Sequence, residues 1–279
     1  MNIRQVRTKI KSVSNVKKIT RAMEMVSAIK MRKAQQKAVE GKPYQEKLNE
    51  VIKRIVGRVD LSLSPLLLTN KSEKELIIVV SSNKGLCGGF NFNLFRFLIE
   101  KVDLKKADFI TVGKKGSFFV NKMSSKILAD FSSSAPLNNV TAVFNLALDN
   151  FLKGNYVRVS LVYNSFVSPV RSETVMETLL PFALSADQKE EVSEYLIEPS
   201  PVEIIDALLR SYLEERIRFS IIQSEAGEHS ARMIAMKNAT DNAEEVTYNL
   251  TLLRNKLRQE KITNELLDMI TAKESVEIS

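Results

Sequence analysis

Lys84 lies in a loop, Ser81–Gly89 (SSNKGLCGG), between a short apolar run and a helical pattern. A phosphate-binding loop would sit in that place. The loop does not read GxxxxGK[ST], because Lys84 precedes the glycines and no Ser or Thr follows a Gly-Lys pair. Gly113–Ser117 (GKKGS) misses the same spacing. A tight turn with close backbone packing fits these glycines better. Cys87, in the same loop, has no acid–base partner in evidence for work as a nucleophile. His229 is the only histidine, and one histidine makes neither a metal cluster nor a triad. It reads as a helix-surface or packing residue. Two further polar sets remain: Lys17, Lys18, Arg21, Arg32 and Lys33 near the start, and Arg258, Gln259 and Thr263 near the end. No acid–base residues converge, and no catalytic site, cofactor or metal is expected.

The elements that carry these residues are marked by what they lack. All seven prolines and eight of the nine glycines fall between Gly41 and Pro201, with Gly227 the exception. Residues 1–40 and about 202–272 are therefore free of helix stops. At about 1.5 Å rise per residue, they predict rods of roughly 60 and 100 Å. Rods that long must pair with each other or project into a partner. In the first rod, Ile3, Val6, Ile10 and Val13 step by three and four, as a coiled-coil seam requires. The seam is expected to shift through Val16 and Ile19 to Met23, Val26 and Ile29. Gly41 and Pro43 are expected to end the straight portion, with Tyr44–Val56 able to resume a helix. In the last rod, Ala239, Ala243, Val246, Leu250, Leu253 and Leu257 predict a heptad seam. The pattern then fails at the polar stretch that begins at Arg258.

Between the rods, apolar runs at Leu76–Val80, Phe109–Val112, Lys126–Phe131, Tyr156–Tyr163 and Thr174–Leu180 read as strands. They alternate with helical patterns at Asn91–Val102 and Val140–Leu152, which predicts a mainly parallel sheet with helices on its faces. Pro181–Pro201 reads as a connector. The expected fold class is thus α/β, with domains at 1–60, 70–185 and 200–279.

Composition is that of a folded soluble protein, 44% hydrophobic and 27% charged. A single cysteine excludes an internal disulfide. No leader and no apolar run near 18 residues is visible, so neither export nor a membrane span is expected. The net charge of +8 is uneven: residues 1–40 hold eleven Lys/Arg against Glu24 and Glu40, a balance of +9, so the remainder carries −1. Such a rod suits nucleic acid, an anionic membrane, an acidic protein surface, or merely solvent. Against nucleic acid, it lacks interleaved aromatics, the first being Tyr44.

Four stretches resemble one family. VKKITRAMEMVSAIKMRKAQ (Val16–Gln35), NKGLCGGFN (Asn83–Asn91), EHSARMIAMKNATDNA (Glu228–Ala243) and NKLRQEKITNEL (Asn255–Leu266) are similar to the gamma subunit of F-type ATP synthases, in the same order and spacing. The resemblance implies a long antiparallel coiled coil of the N- and C-terminal helices beside a central Rossmann-like α/β domain. It implies a non-catalytic central-stalk rotor, which couples rotation of a membrane c-ring to ATP synthesis or hydrolysis at catalytic beta subunits. The implied partners are the alpha and beta subunits, the epsilon subunit and the c-ring, with membrane contact only through the complex and no nucleic acid. The implied location is peripheral, on the cytoplasmic face of the bacterial inner membrane. A shaft of a paralogous rotary ATPase not coupled to ion flow is the alternative.

Site residues follow from the same resemblance. Lys17, Lys18, Arg21, Arg32 and Lys33 would face acidic tips of catalytic subunits, an attraction that need not lock into one pose. Met23 and Arg232 would serve coupling, and Met23, Lys84, Cys87, Arg258, Gln259 and Thr263 would contact catalytic subunits. Tyr195 and Glu198 would approach the c-ring. The chain departs from the family where Leu257, Glu260 and Lys261 replace common small alanines.

Overall fold

A computed structural model describes residues 2–56, 64–133, 135–182 and 201–277. Two long helices, α1 (Ile3–Val56) and α5 (Pro201–Glu277), bracket the sheet-forming part of the chain. The chain divides into two compact units, Met1–Val26 with Met233–Ser279, and Ser27–Arg232.

In the first unit the helices pair antiparallel. Thr240 Oγ1 and Thr20 Oγ1 lie 2.8 Å apart, and Lys17 Nζ meets Glu244 Oε1 at 3.1 Å, so partners advance on one helix as they retreat on the other. The seam steps by three and four through Val6, Ile10, Val13, Lys17 and Thr20, facing Met236, Thr240, Ala243, Thr247, Leu250, Arg254 and Leu257. This corrects the expected seams. Val16, Ile19 and Val26 are 52, 59 and 52% exposed, and Val246 and Leu253 also face outward. Ala243, Leu250 and Leu257 do lie in the seam, but threonines and an arginine alternate with them. The seam can shelter threonines because each hydroxyl bonds back to its own helix: buried Thr240 to Met236 O at 2.8 Å and half-buried Thr247 to Ala243 O at 2.7 Å. A hydropathy pattern misses a seam built of satisfied hydroxyls.

In the second unit, β1 (Glu75–Val80), α2 (Phe90–Lys101), β2 (Ala107–Val112), α3 (Lys114–Lys122), β3 (Ile127–Asp130), α4 (Val140–Leu152), β4 (Arg158–Ser168) and β5 (Arg171–Leu180) follow in order. The sheet runs β3-β2-β1-β4-β5, with parallel pairing except at the β5 edge. Both faces of β1 are covered, which explains its unbroken apolar run. Leu76, Ile78 and Val80 pack with α4 and with Ile205, Leu209, Leu213, Ile217 and Ile221 of α5. Ile77 and Val79 pack with Leu94, Leu98, Phe119 and Val120 of α2 and α3. Glu177 on β5 pairs with Arg216 of α5 and accepts the Tyr163 hydroxyl at 2.8 Å, which ties α5 to the sheet edge.

Three local expectations change here. Ile29, expected in the seam, is exposed. Helix α1 does not stop at Gly41: Pro43 lies inside it. An interior proline costs about 3 kcal/mol. Burying Leu48 and Ile52 just beyond returns about 1.5–3 kcal/mol each, enough to keep the helix going. The GKKGS segment, read as a turn, opens α3. Gly113 has φ +110°, and a Cβ there would sit 2.2 Å from Ser81 O. The glycine therefore serves close approach of two segments rather than a break in the helix.

Candidate functional site

The loop after β1 closes on itself through short polar side chains. Ser82 Oγ donates to Lys84 O at 2.8 Å, while Asn91 Nδ2 donates to Ser82 Oγ at 2.7 Å and to Cys87 Sγ at 3.2 Å. Its base is clasped to the start of α3. Ser81 Oγ donates to Gly113 O at 3.1 Å and accepts from Gly116 N at 2.7 Å, and Asn83 Oδ1 accepts from Lys114 N at 3.0 Å. This is the close-packed turn expected of the glycines. Cys87 is 3% exposed, its thiol turned into the loop interior. The tip outside it is Lys84, Gly85 and Leu86, with Leu86 exposed and left-handed at φ 62°.

Arg232 holds this tip from α5. Its Nη2 donates to Lys84 O at 3.1 Å, and both Nε and Nη2 donate to Gly85 O at 3.2 Å. Nη2 also lies 2.7 Å from Glu228 Oε1, and Nη1 is 3.3 Å from His229 Nδ1. The guanidinium is buried, so a planar fork spends its donors on two successive carbonyls and one carboxylate. Burial raises the Glu228 carboxyl above its usual range, against the pull of Arg232, Lys30 and Lys84. Burial likewise raises Glu225, opposed by Lys37 and Lys30. The His229 imidazole is pushed down to about 4, first by burial and then by the charges of Arg232 and Lys30. A neutral Nδ1 there can accept from Arg232.

Arg232, far away in sequence, is thus brought together with the loop that holds Lys84 and Cys87. Glu228, Ser82 and Asn91 were missed as site residues. The spacing of Glu228 and Arg232, one helical turn apart, was the available signal for an ion pair.

The remaining predicted residues fall on the helices. Lys17 is engaged by Glu244, Arg21 lies 3.4 Å from Glu24, and Met23 is half-buried. Lys18, Arg32 and Lys33 are exposed. Arg258, Gln259 and Thr263 are exposed on α5, where Thr263 Oγ1 donates to Gln259 O at 3.0 Å. Among and beyond them Ile262, Leu266, Leu267, Met269 and Ile270 are exposed apolar side chains. Tyr195 and Glu198 lie outside the described residues. Among the described residues no helix is long and apolar enough to cross a membrane. None of them forms a group of three or more His, Cys, Asp or Glu able to hold a metal ion.

Comparison with known proteins covers this whole arrangement. The family model described as ATP synthase matches residues 2–276. A relative named ATP synthase gamma chain, from Clostridium perfringens, is 39% identical over 276 residues, covering 97% of each chain. One of the same name from Akkermansia muciniphila is 37% identical over 290 residues, covering 99% of each. Among solved structures, a chain of the Euglena gracilis mitochondrial ATP synthase (OSCP/F1/c-ring, rotational state 3) superposes with a TM-score of 0.73 at 22% identity, covering 98% of this chain and 94% of that one. A chain of the Tetrahymena thermophila mitochondrial ATP synthase central stalk and c-ring gives 0.55 at 23% identity, covering 79% and 99%. At these identities the structures speak to the fold: two long terminal helices with a central sheet.

Proposed function

The chain belongs to the gamma-chain family of ATP synthases, and on that premise we propose that it is the central-stalk rotor of a proton-translocating F-type synthase. The observation that carries this reading is 39% identity to a chain of that name across 97% of both chains. The antiparallel helix pair, formed from residues within 1–60 and 200–279, is the axle. The α/β part, within 70–185, is the body by which the axle is turned. Rotation of a c-ring turns the axle inside a ring of alpha and beta subunits and drives the beta sites through their states in sequence. The chain transmits torque and carries out no bond chemistry of its own.

Contacts are assigned by what each surface offers. Lys18, Arg32 and Lys33 are exposed cations that attract acidic tips without keying into one pose. Lys17, Arg21 and Met23 border them. Arg258, Gln259 and Thr263, with the apolar side chains beyond, meet the inner lining of the head. The loop tip at Lys84 addresses a catalytic subunit, and Arg232 contributes to coupling. Tyr195 and Glu198 approach the c-ring. An epsilon subunit completes the rotor, and the complex places the chain peripherally on the cytoplasmic face of the bacterial membrane.

Reconstitution tests the assignment. Alpha, beta and epsilon subunits from the same source are assembled with and without this chain, joined to membrane sectors in vesicles, and supplied with ATP. ATP-driven acidification that requires the chain is expected. Equal acidification without it would remove the rotor role, and turnover with rotation but no ion movement would reassign the shaft to an uncoupled motor.

A further inference from the structure

We propose that Arg232, with Glu228, is a latch: it acts on coupling by fixing the loop Ser82–Cys87 in the pose that presents Lys84 and Leu86, and not by touching a partner itself. The role of the loop tip rests on the functional reading above; the latch itself does not. Arg232 is only 7% exposed, and its Nε and Nη2 are taken by Lys84 O, Gly85 O and Glu228. Little of it is left for another protein.

What the latch holds has the character of a contact point. Leu86 is 64% exposed and keeps a left-handed backbone that a leucine adopts only under constraint. Two constraints bracket it. On one side Arg232 grips the carbonyls of the two preceding residues. On the other, Cys87 is buried against Ser82 and Asn91. The result is a rigid knob, apolar at Leu86 and cationic at Lys84, held against α5. Glu228 neutralises the buried guanidinium, so the latch brings no uncompensated charge inside. Lys30, Lys37 and Glu225, with the neutral His229, complete the titratable surroundings. A lysine in place of Arg232 would keep the charge but lose the fork that spans two carbonyls.

The protein carries its own reporter, because Cys87 is its only cysteine and adjoins the knob. Alkylation of the native full-length chain by a maleimide reads opening of the loop. R232Q is expected to react at least tenfold faster than the wild type, R232K at an intermediate rate, and F151L, a core change in α4 outside the loop, much more slowly than R232Q at a matched thermal midpoint. A wild-type rate in R232Q overturns the latch. If R232Q does not fold, E228Q carries the test with the same expected direction. In the assembled complex, the ratio of ion transport to turnover is compared for L86A, R232Q and their combination. A double variant no worse than the poorer single one supports action through the loop, whereas additive losses mean that Arg232 touches a partner directly and sink the proposal. Faster alkylation with unchanged coupling leaves the latch standing and removes the knob from the contact surface assigned above.

Discussion

His229 and Arg232 stand one turn apart on α5, and their environments pull in opposite directions. The arginine is buried with its donors engaged, while the imidazole beside it is held neutral, its pKa pushed down to about 4. The folded state therefore declines a proton that the unfolded chain accepts from about pH 6.5 downward. The penalty from this residue is absent well above pH 6.5, grows as pH falls, and levels off below 4. Glu225 and Glu228, raised by burial, act the other way, since the folded chain takes up their protons first as pH falls. Comparison with H229Q isolates the imidazole: the variant should lose less stability than the wild type between pH 6.5 and 4 in urea titrations. Because the chain has one histidine, its NMR titration can be followed directly, and a midpoint near 6.5 would contradict the geometry described.

At the level of the helices, the seam is the quantity that decides pairing. Ala243 is buried where the helices meet, whereas Leu253 is 36% exposed. A243L should overpack the seam and cost about 1–3 kcal/mol of stability. L253S should stay within about 0.5 kcal/mol. Urea unfolding of the two variants, followed by helical circular dichroism, checks the order, and a larger loss for L253S would restore the seam expected from hydropathy alone. The outward turn of Val16, Ile19, Val26 and Val246 has a functional corollary. Apolar side chains that pattern analysis assigns to a helix pair are instead available to the surrounding head in the proposed complex.

Across the whole chain, the charge is the property with the longest reach. All of the excess lies in residues 1–40, but its members are not equivalent. Lys17 pairs with Glu244 across the helices and Arg21 with Glu24 along α1, so reversing them would disturb contacts within the chain as well as any partner. Lys18, Arg32 and Lys33 are exposed, and reversing them to glutamate tests the bearing surface alone. The triple variant should fold normally and lower the ratio of ion transport to ATP turnover in reconstituted vesicles. The deficit should shrink as salt rises from about 0.01 to 0.15 M, because screening shortens the reach of these charges from about 30 to 8 Å. An unchanged ratio at both salt levels would mean that these cations face only solvent.

The sequence by itself determined the long terminal helices, the alternation of strands and helices, the mainly parallel sheet and the family. Each is written in near neighbours: the absence of Pro and Gly, the period of apolar residues, and runs such as Leu76–Val80. The sequence did not determine the phase of the helix seam, because alternative stripes compete on each helix and the one chosen uses threonines whose hydroxyls are satisfied by their own backbone. It did not reveal that Cys87 turns inward, that Pro43 is tolerated inside α1, or that Gly113 opens a helix. Above all, it could not show what Arg232 holds, since Gly85 lies 147 residues away. Local periodicity encodes which segments become helices and strands. Which side chains then meet across those segments is decided only when burial, close approach and hydrogen-bond geometry are satisfied together in the folded chain.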